Sequence, residues 1–418
     1  MIYRENAIYR SHNLPPTSQG IAMDTVIPAP GAVSGATPAT APGAHPVNAT
    51  VAPLFQPFAF GRHILANRVV MAPMTRNKSP GGVPGEDVVA YYRRRVRGGV
   101  GLLITEGTYV NHPAANGYPQ VPAFHGEAAL AGWKRVVDAV HEAGGRIIPQ
   151  LWHVGVARRA GVEPDPAVPG YGPSAIVDNG VEVVRAMTQA DIDAVIAAFA
   201  QAAADAERIG FDGAELHGAH GYLIDDFFWE KTNQRTDAYG GSLENRVRFA
   251  VEVVRAVRAA VSPDFPIVFR FSQWKGGDYG AKITQTPEEL GRILTPLAEA
   301  GVDVFHVSTR RYWEPAFDGS PDTLAAWTKR LTGKPVIAVG SVGLDDAFKV
   351  GMFANRDAFE VKPTDVDQAA QALARGDFDL LGVGRVLLSD PDWAIKVRDG
   401  RVDQVIPFDR ASLDRLVV

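Results

Sequence analysis

The chain has 418 residues, of which 46% are hydrophobic, and it carries a formal net charge of −5. This length predicts one large α/β domain or two ordinary domains. The slightly negative net charge gives no indication of a basic surface that would bind nucleic acid. The absence of cysteine excludes disulfides, thiolate nucleophiles and cysteine-ligated iron–sulfur or zinc sites. No apolar run approaches the ~18 residues of a membrane span, so we expect a cytoplasmic protein with no membrane partner.

Residues 1–52 differ in composition from the rest of the chain. The stretch 25–53 contains no Asp, Glu, Lys or Arg and consists largely of Ala, Pro, Gly, Thr and Val. Such a segment buries too little apolar surface to offset the entropy cost of ordering it. We therefore predict a disordered leader over residues 1–52 and one folded domain over residues 53–418. A transit peptide, or a true start at Met23, is the alternative.

From about residue 54 onwards, short apolar runs alternate with amphipathic helical patterns. The runs are apolar on both faces, which is typical of strands in a parallel sheet that is covered on both sides. The eight predicted strands are 68–74, 101–106, 146–152, 211–217, 266–272, 302–308, 335–341 and 379–384.

The helical patterns between these strands carry their own start signals. Thr188 and Asp191 form a capping box ahead of an apolar face, and Thr286-Pro287 combines a cap with a first-turn proline. Eight strands alternating with helices predict a single (β/α)₈ TIM barrel. An open doubly wound sheet would need a GxGxxG turn after its first strand, which is missing here. The segment 155–187, after the third strand, is too long for a plain loop and predicts a capping excursion.

Two glycine-containing turns follow the last two predicted strands. The first contains Gly340-Ser341 and the second contains Gly384-Arg385. In barrels these two loops often bind a phosphate through backbone N–H groups, and FMN is a ligand that fits. Taken singly, each glycine is equally well explained by turn geometry.

Three polar residues at other strand ends suit a flavin ring. The amide of Gln150 matches a flavin pyrimidine edge, and the guanidinium of Arg270 matches the negative charge of reduced flavin. The Thr75 hydroxyl is placed to contact flavin O4. Each residue also has an ordinary explanation: a solvated strand end for Gln150, an ion pair for Arg270 and a helix cap for Thr75.

The densest group of reactive side chains follows the fourth predicted strand. His217 and His220 lie at the end of that strand, and Tyr222 lies in the loop beyond. Two hydrogen-bond donors beside a proton donor suit reduction of an electron-poor carbonyl compound. The alternatives are satisfied polar side chains or a metal site, but no suitable carboxylate ligand is obvious beyond Glu215 and Asp225, so no metal is predicted.

Other barrel chemistries have weaker support. A glycosidase needs two carboxylates at strand ends, whereas Asp225, Asp226 and Glu230 all fall beyond one strand. Lys334 precedes its strand, which disfavours a Schiff-base lysine, and no GxSxG motif is present.

Five stretches resemble the old yellow enzyme family of flavin-dependent ene-reductases. The resemblance extends over about residues 54–392, and the long stretch after Tyr222 is close to a family signature by itself. The stretches are 67–76, 104–108, 150–155, 217–223 and 233–246.

The resemblance implies noncovalent FMN and a role for each matching residue. His217 and His220 match the pair that binds the substrate oxygen, Tyr222 the proton donor, and Trp152 an aromatic residue that shapes the substrate pocket. Two further sets match the flavin-ring and phosphate contacts respectively: Ala72, Pro73, Thr75, Gly107, Gln150 and Arg270, and then Gly340, Ser341, Gly384 and Arg385.

The implied reaction takes hydride from NADPH or NADH and reduces the C=C bond of α,β-unsaturated carbonyl or nitro compounds. Reduction of nitrate esters, nitroaromatics or quinones is an alternative, as is flavin binding without turnover. We expect a small-molecule substrate and no nucleic-acid partner, and we leave a homo-oligomer open.

The chain also departs from the family in three places. Without cysteine it cannot belong to the iron–sulfur branch that includes dienoyl-CoA reductases. Where many members have an aromatic pair near the C-terminus, this chain has Ser412-Leu413, which predicts a more open pocket. The segment 271–275 also differs from the best-known members, so their substrate preference does not transfer.

Overall fold

In a computed structural model, the structure describes residues 47–344 and 366–418. The strands are β1 Phe58–Phe60, β2 His63–Leu65, β3 Val69–Met71, β4 Leu102–Tyr109, β5 Ile147–Trp152, β6 Gly170–Gly172, β7 Ile176–Asp178, β8 Val181–Ala186, β9 Ala214–His220, β10 Ile267–Lys275, β11 Val304–Ser308, β12 Val336–Val339 and β13 Leu380–Val383. The helices are α1 Glu86–Arg97, α2 Glu127–Glu142, α3 Gln189–Ile209, α4 Leu223–Phe228, α5 Leu243–Ala260, α6 Pro287–Ala300, α7 Leu324–Thr332, α8 Asp367–Arg375, α9 Val386–Ser389 and α10 Trp393–Arg398.

Eight parallel strands close into a barrel in the order β10-β11-β12-β13-β3-β4-β5-β9. Each of them lies within or overlaps one of the eight predicted strands, so the predicted TIM barrel is confirmed. Pairing of β13 with β3, which joins Leu381 to Val69, closes the barrel between its last and first strands. All eight strands therefore direct their carboxyl ends to the same mouth.

The opposite, amino-terminal end of the barrel is sealed by a hairpin. Strands β1 and β2 pair antiparallel, and Phe60 and Leu65 are buried there. Both pack with an inner cluster of barrel side chains that includes Val70, Leu102, Ile104, Ile148, Val268, Val304, Ile337 and Leu380. Because this end is filled with apolar side chains, only the carboxyl end of the barrel is left for a ligand.

The helices cover the outer surface of the barrel, as their apolar periodicity predicts. The α3 start has the predicted capping box, in which Asp191 N–H donates to Thr188 Oγ1 and Thr188 N–H donates to Asp191 Oδ2. Thr286 caps α6 with its Oγ1, which accepts the N–H of Glu289. Within the described ranges, no helix combines the length and apolar character needed to cross a bilayer.

The predicted excursion after the third barrel strand forms a small sheet. Strands β6, β8 and β7 lie in that order, with β7 and β8 antiparallel. Arg235, between α4 and α5, connects this sheet to the barrel. Its guanidinium donates to the carbonyl oxygens of Pro173, just after β6, and Met187, just after β8.

The predicted leader lies almost wholly outside the described residues. The described chain begins at Val47, and Asn48 N–H donates to the Arg398 carbonyl oxygen at 2.8 Å. Val51 is buried and precedes a 3₁₀ turn over Ala52–Phe55.

Candidate active site

The mouth of the barrel contains a cavity of about 360 Å³ that opens to solvent. Every residue that lines it was singled out from the sequence. The lining residues are Pro73, Thr75, Gln150, Trp152, His217, His220, Tyr222 and Arg270. They come from the ends of β3, β5, β9 and β10, so the fold brings together segments that are far apart in the chain.

His217 is arranged to present a hydrogen-bond donor. The Ala219 N–H donates to His217 Nδ1 at 3.3 Å, so in the neutral ring the proton resides on Nε2. Burial, reinforced by the nearby charge of Arg270, lowers the pKa of His217 well below its usual value. The imidazole is therefore neutral at pH 7, with Nε2–H as its remaining donor.

His220 lies in a left-handed backbone conformation, with φ of 68°. Such a conformation is costly for a residue with a side chain and persists only where neighbours enforce it. Here Ser272 Oγ accepts the His220 N–H at 3.0 Å, and the His220 carbonyl oxygen accepts the Gly276 N–H at 3.0 Å. Burial lowers the pKa of His220 well below its usual value as well.

Ser308, at the end of β11, joins His220 to the buried arginine. Its Oγ lies 2.8 Å from His220 Nε2 and accepts a hydrogen bond from Arg270 Nη2 at 3.3 Å. Sequence inspection missed Ser308, because a serine at the end of an apolar strand carries no distinctive signal.

The proton-donor candidate Tyr222 lies among aromatic rings. Its ring meets Trp152 edge-on at 4.9 Å and His217 at 5.0 Å. Its hydroxyl lies 3.1 Å from the hydroxyl of Tyr118, whose ring stacks on Trp152. Tyr118 was not predicted, since it comes from the loop between β4 and α2 and belongs to no strand-end pattern.

Arg270 is a buried cation whose hydrogen-bonding capacity is largely unused. Burial lowers its pKa to about 10, so the guanidinium stays charged at pH 7. Among the described residues, Nη2 reaches Ser308, whereas Nε and Nη1 are buried without a partner. Leaving charged donors unsatisfied is costly, which points to a ligand at this position.

Gln150 belongs to a buried polar network beneath the cavity. Its Nε2 donates to Glu215 Oε1 at 2.7 Å, and Glu215 Oε2 lies 2.6 Å from His306 Nδ1. The amide group is thereby oriented, and its carbonyl Oε1 is left as an acceptor at the cavity. Glu215 and His306 were not assigned this role from the sequence, because each looks like an isolated polar residue in a strand.

The two predicted phosphate turns lie side by side, because β12 and β13 are neighbours in the barrel. Gly340 has φ of 157°, and a Cβ there would lie 2.6 Å from Thr309 Oγ1, so the turn requires glycine. Gly384 and Arg385 follow β13 directly and lead into α9. These residues do not line the cavity described above, but they share its end of the barrel.

The remaining predicted contacts, Ala72 and Gly107, have structural roles at the same mouth. Ala72 N–H donates to the Val383 carbonyl oxygen at 2.9 Å, which ties the loop after β3 to the end of β13. A Cβ on Gly107 would lie 2.4 Å from the Trp152 ring, so glycine is needed for that ring to pack.

The carboxylates of the glycosidase alternative do not meet at the cavity. Asp225 forms a buried ion pair with Lys275 at 2.6 Å, and Asp226 is buried with one oxygen accepting the Val156 N–H. Neither lines the cavity, and the side chain of Glu230 is exposed. Ser412 and Leu413 also lie outside the lining.

Comparison with known proteins identifies the family. The family model described as NADH:flavin oxidoreductase / NADH oxidase matches residues 53–359. The chain belongs to this family. The resemblance to old yellow enzymes is thereby confirmed, and the protein is an FMN-dependent oxidoreductase of the ene-reductase kind that uses NAD(P)H and acts on C=C bonds.

Individual relatives support the assignment of this chain to the old yellow enzyme family. It is 36% identical to 12-oxophytodienoate reductase 2 of Arabidopsis thaliana, over 81% of this chain and 87% of the relative. It is 37% identical to chanoclavine-I aldehyde reductase fgaOx3 of Penicillium roqueforti, over 86% and 92% respectively. The chain spans 52% of the NADH oxidase of Thermoanaerobacter brockii, at 34% identity and over 84% of its own length.

Solved structures support the same assignment. Morphinone reductase in complex with tetrahydroNAD superposes with a TM-score of 0.71 at 29% identity, covering 86% of this chain and 93% of that one.

The residues of the mouth fit FMN. The unpaired donors of Arg270 and the free acceptor of Gln150 offer complementary contacts to a ring edge that carries carbonyl and N–H groups. The turns at Gly340 and Gly384 follow neighbouring strands, so their backbone N–H groups would be available to an FMN phosphate.

Proposed function

We propose that this enzyme reduces the C=C bond of α,β-unsaturated carbonyl or nitro compounds in the cavity lined by His217, His220 and Tyr222. FMN, held by Arg270, Gln150 and the turns at Gly340 and Gly384, would supply the hydride-transfer chemistry that links NAD(P)H to the substrate. The side chains of the cavity are assigned to substrate binding, charge stabilisation and proton delivery.

His217 and His220 hold the carbonyl or nitro oxygen of the substrate. Both imidazoles are neutral, because burial lowers their pKa values, so each ring has a single N–H donor. His217 donates through Nε2–H; in His220 the Ser308 hydroxyl, which accepts from Arg270, donates to Nε2, so the ring proton is on Nδ1. As the C=C bond is reduced, negative charge develops on the bound oxygen, and fixed donors stabilise it. Removing one such donor costs roughly 3 kcal/mol in the transition state.

Tyr222 supplies the proton that completes the reduction at the substrate's α-carbon. Its ring packs edge-on against Trp152 and His217, so the phenol is held beside the oxygen-binding pair. The Tyr118 hydroxyl, 3.1 Å away, restricts the phenol further. A positioned general acid of this kind contributes about 10²–10⁴-fold to the rate.

The single observation that carries the proposal is the convergence of this donor pair and this phenol on one cavity with the buried charge of Arg270. A barrel that only stored flavin would have no need for a neutral imidazole pair beside a phenol. The same trio does not favour nitrate esters or quinones over enones, so these compounds belong in the test panel.

The test separates the two half-reactions in anaerobic stopped-flow experiments. We expect Tyr222→Phe to keep the rate of flavin reduction by NADPH or NADH and to lose about 10²–10⁴-fold in reoxidation by a cyclic enone. Tyr171→Phe, in the capping sheet and outside the cavity lining, is the matched control. Normal reoxidation by enones in the Tyr222 variant would contradict the assignment.

A further inference from the structure

A buried carboxyl group lies close to the cavity but does not line it. Glu106, in β4, is 1% exposed, and burial raises the pKa of its carboxyl to about 7. Its Oε1 is buried without a hydrogen-bond partner among the described residues. Placing a carboxyl group in such surroundings costs free energy, and the reaction described above does not use it. The contacts of its other oxygen therefore indicate its role.

That oxygen binds the loop that follows β3. Glu106 Oε2 accepts the N–H of Arg76 at 2.7 Å and the N–H of Asn77 at 3.3 Å. Asn77 has a left-handed backbone, with φ of 54°, which asparagine adopts more readily than most residues. Successive N–H groups in a turn form a concave site for an anion, and here the anion is the side chain of Glu106. The residue directly before this turn is Thr75, whose hydroxyl is predicted to contact flavin O4.

A bulge in β4 accounts for the direction of the Glu106 side chain. The register between β4 and β5 shifts between Ile104 and Gly107, and Glu106 lies inside the shifted segment. Bulges of this kind re-aim side chains and are frequent beside active sites. Strict alternation would instead place Glu106 on the face of Ile104, which belongs to the inner barrel cluster. The Glu106 N–H donates to the Tyr92 hydroxyl at 2.8 Å, which ties the bulge to α1.

The side chain of Arg76 anchors the same loop a second time. Its Nη2 donates to the carbonyl oxygens of Ser412 and Arg415 at 2.7 and 2.8 Å. The segment that carries these carbonyls is linked to α9, because Ser412 Oγ lies 2.7 Å from Ser389 Oγ. With its side chain held there and its N–H held by Glu106, Arg76 limits the positions open to the preceding threonine.

We propose that Glu106 is a positioning residue for the flavin site, whose carboxylate holds the loop after β3 so that Thr75 presents its hydroxyl to flavin O4. The inference rests on the proposed function, because it concerns the flavin that would serve the same cavity. A hydrogen bond to O4 strengthens as the ring gains electrons, and so it raises the reduction potential. Glu106 thus influences hydride transfer through Thr75 and does not contact the substrate.

Two conservative variants separate position from charge. Glu106→Asp keeps the negative charge but withdraws the carboxylate by one methylene, whereas Glu106→Gln keeps an oxygen at full reach and removes the charge. Thr75→Ala and the double variant Thr75→Ala/Glu106→Asp show whether the two residues act together. Glu142→Asp, at the exposed end of α2, is the control. The reduction potential, the flavin absorption spectrum and the unfolding temperature of each FMN-loaded protein are measured.

We expect Glu106→Asp and Thr75→Ala each to shift the equilibrium towards oxidised FMN by about tenfold, through loss of one hydrogen bond. For a two-electron couple, this tenfold change lowers the reduction potential by about 30 mV. Glu106→Gln should keep the wild-type potential and spectrum. The double variant should have the potential of Thr75→Ala, because the contact that Glu106 positions is already absent there.

Two outcomes overturn the inference. One is a wild-type potential in either Glu106→Asp or Thr75→Ala, and a change confined to Glu106→Gln would then assign the effect to charge. The other is a potential in the double variant well below that of Thr75→Ala, which would show that Glu106 acts elsewhere. Failure of the wild type to reduce any enone would instead defeat the proposed function, and the redox titrations would still test the role of Glu106.

Discussion

At the scale of single residues, the cavity depends on one buried cation and two neutral rings. Arg270 keeps its charge although burial lowers its pKa to about 10, and two of its nitrogens have no partner among the described residues. His217 and His220, close to this charge, are kept neutral by burial and by the arginine itself. The same positive group that we propose as a contact for FMN thus also reinforces the effect of burial, which keeps the His217 and His220 rings neutral.

This arrangement predicts a cofactor defect when Arg270 is replaced. Arg270→Met should weaken FMN binding at least tenfold, since a charge-assisted hydrogen bond contributes about 1.5–3 kcal/mol. It should also lower the reduction potential of bound FMN, because the positive charge that favours the reduced form is gone. Fluorescence titration of the apoprotein with FMN and a redox titration measure both quantities.

Arg255, which is exposed on α5, is the control for the loss of one positive charge away from the cavity. Arg255→Met should leave the FMN dissociation constant and the potential unchanged. An Arg270 variant with wild-type affinity and potential would remove this residue from the flavin site.

At the scale of elements, the turn between β9 and α4 is held by a buried ion pair. Lys275, at the end of β10, pairs with Asp225 in α4 at 2.6 Å, and both side chains are fully buried. Asp225 Oδ2 also accepts the Gly221 N–H at 2.7 Å, in the turn that precedes Tyr222. Burial raises the pKa of Asp225 and lowers that of Lys275, and the contact between the two groups opposes both shifts.

We therefore predict that Lys275→Met loosens this turn. An uncompensated buried carboxylate costs about 3–5 kcal/mol of stability, and the turn that carries His220 and Tyr222 would lose its anchor. Reoxidation by an enone should slow much more than flavin reduction by NADPH or NADH. Thermal unfolding and stopped-flow measurements report the two effects separately.

The double variant Lys275→Met/Asp225→Asn distinguishes the charge from the packing. Its neutral amide keeps an acceptor for the Gly221 N–H, so stability and reoxidation should recover in part. If the double variant is as unstable as Lys275→Met and is reoxidised as slowly, the uncompensated carboxylate is not the cause of either defect.

At the scale of the whole molecule, the barrel separates stability from chemistry. The amino-terminal end is filled by the hairpin of β1 and β2, whose Phe60 packs among the inner barrel side chains. The polar network and the cavity occupy the other end. Changes at the sealed end should therefore affect unfolding and leave the site intact.

Phe60→Ala tests this separation. Truncation of a fully buried phenylalanine costs about 3–5 kcal/mol, so the unfolding temperature should fall by several degrees. The FMN affinity and the rates of both half-reactions at 25 °C should stay within about twofold of wild type. Loss of FMN from the folded variant would show that the two ends are coupled. Exposed Ile64, in the same hairpin, is the control position for Ile64→Ala.

Much of this organisation was predictable from local sequence. The alternation of apolar runs and amphipathic helices predicted the barrel because burial on both faces of a strand is visible in the strand itself. His217, His220 and Tyr222 lie within six positions, so their association did not require knowledge of the fold. The strand-end positions of Gln150 and Arg270 followed from the rule that parallel strands share one mouth.

The partners of these residues were decided only by the tertiary structure. Tyr118 meets Tyr222 across 104 positions, Ser308 meets His220 across 88, and Lys275 meets Asp225 across 50. None of these pairs has a sequence signature, because each depends on which side chains the closed barrel brings within hydrogen-bonding distance. Periodicity reports the burial of a residue, whereas a specific contact depends on the positions of two chain segments that are independent until the barrel closes.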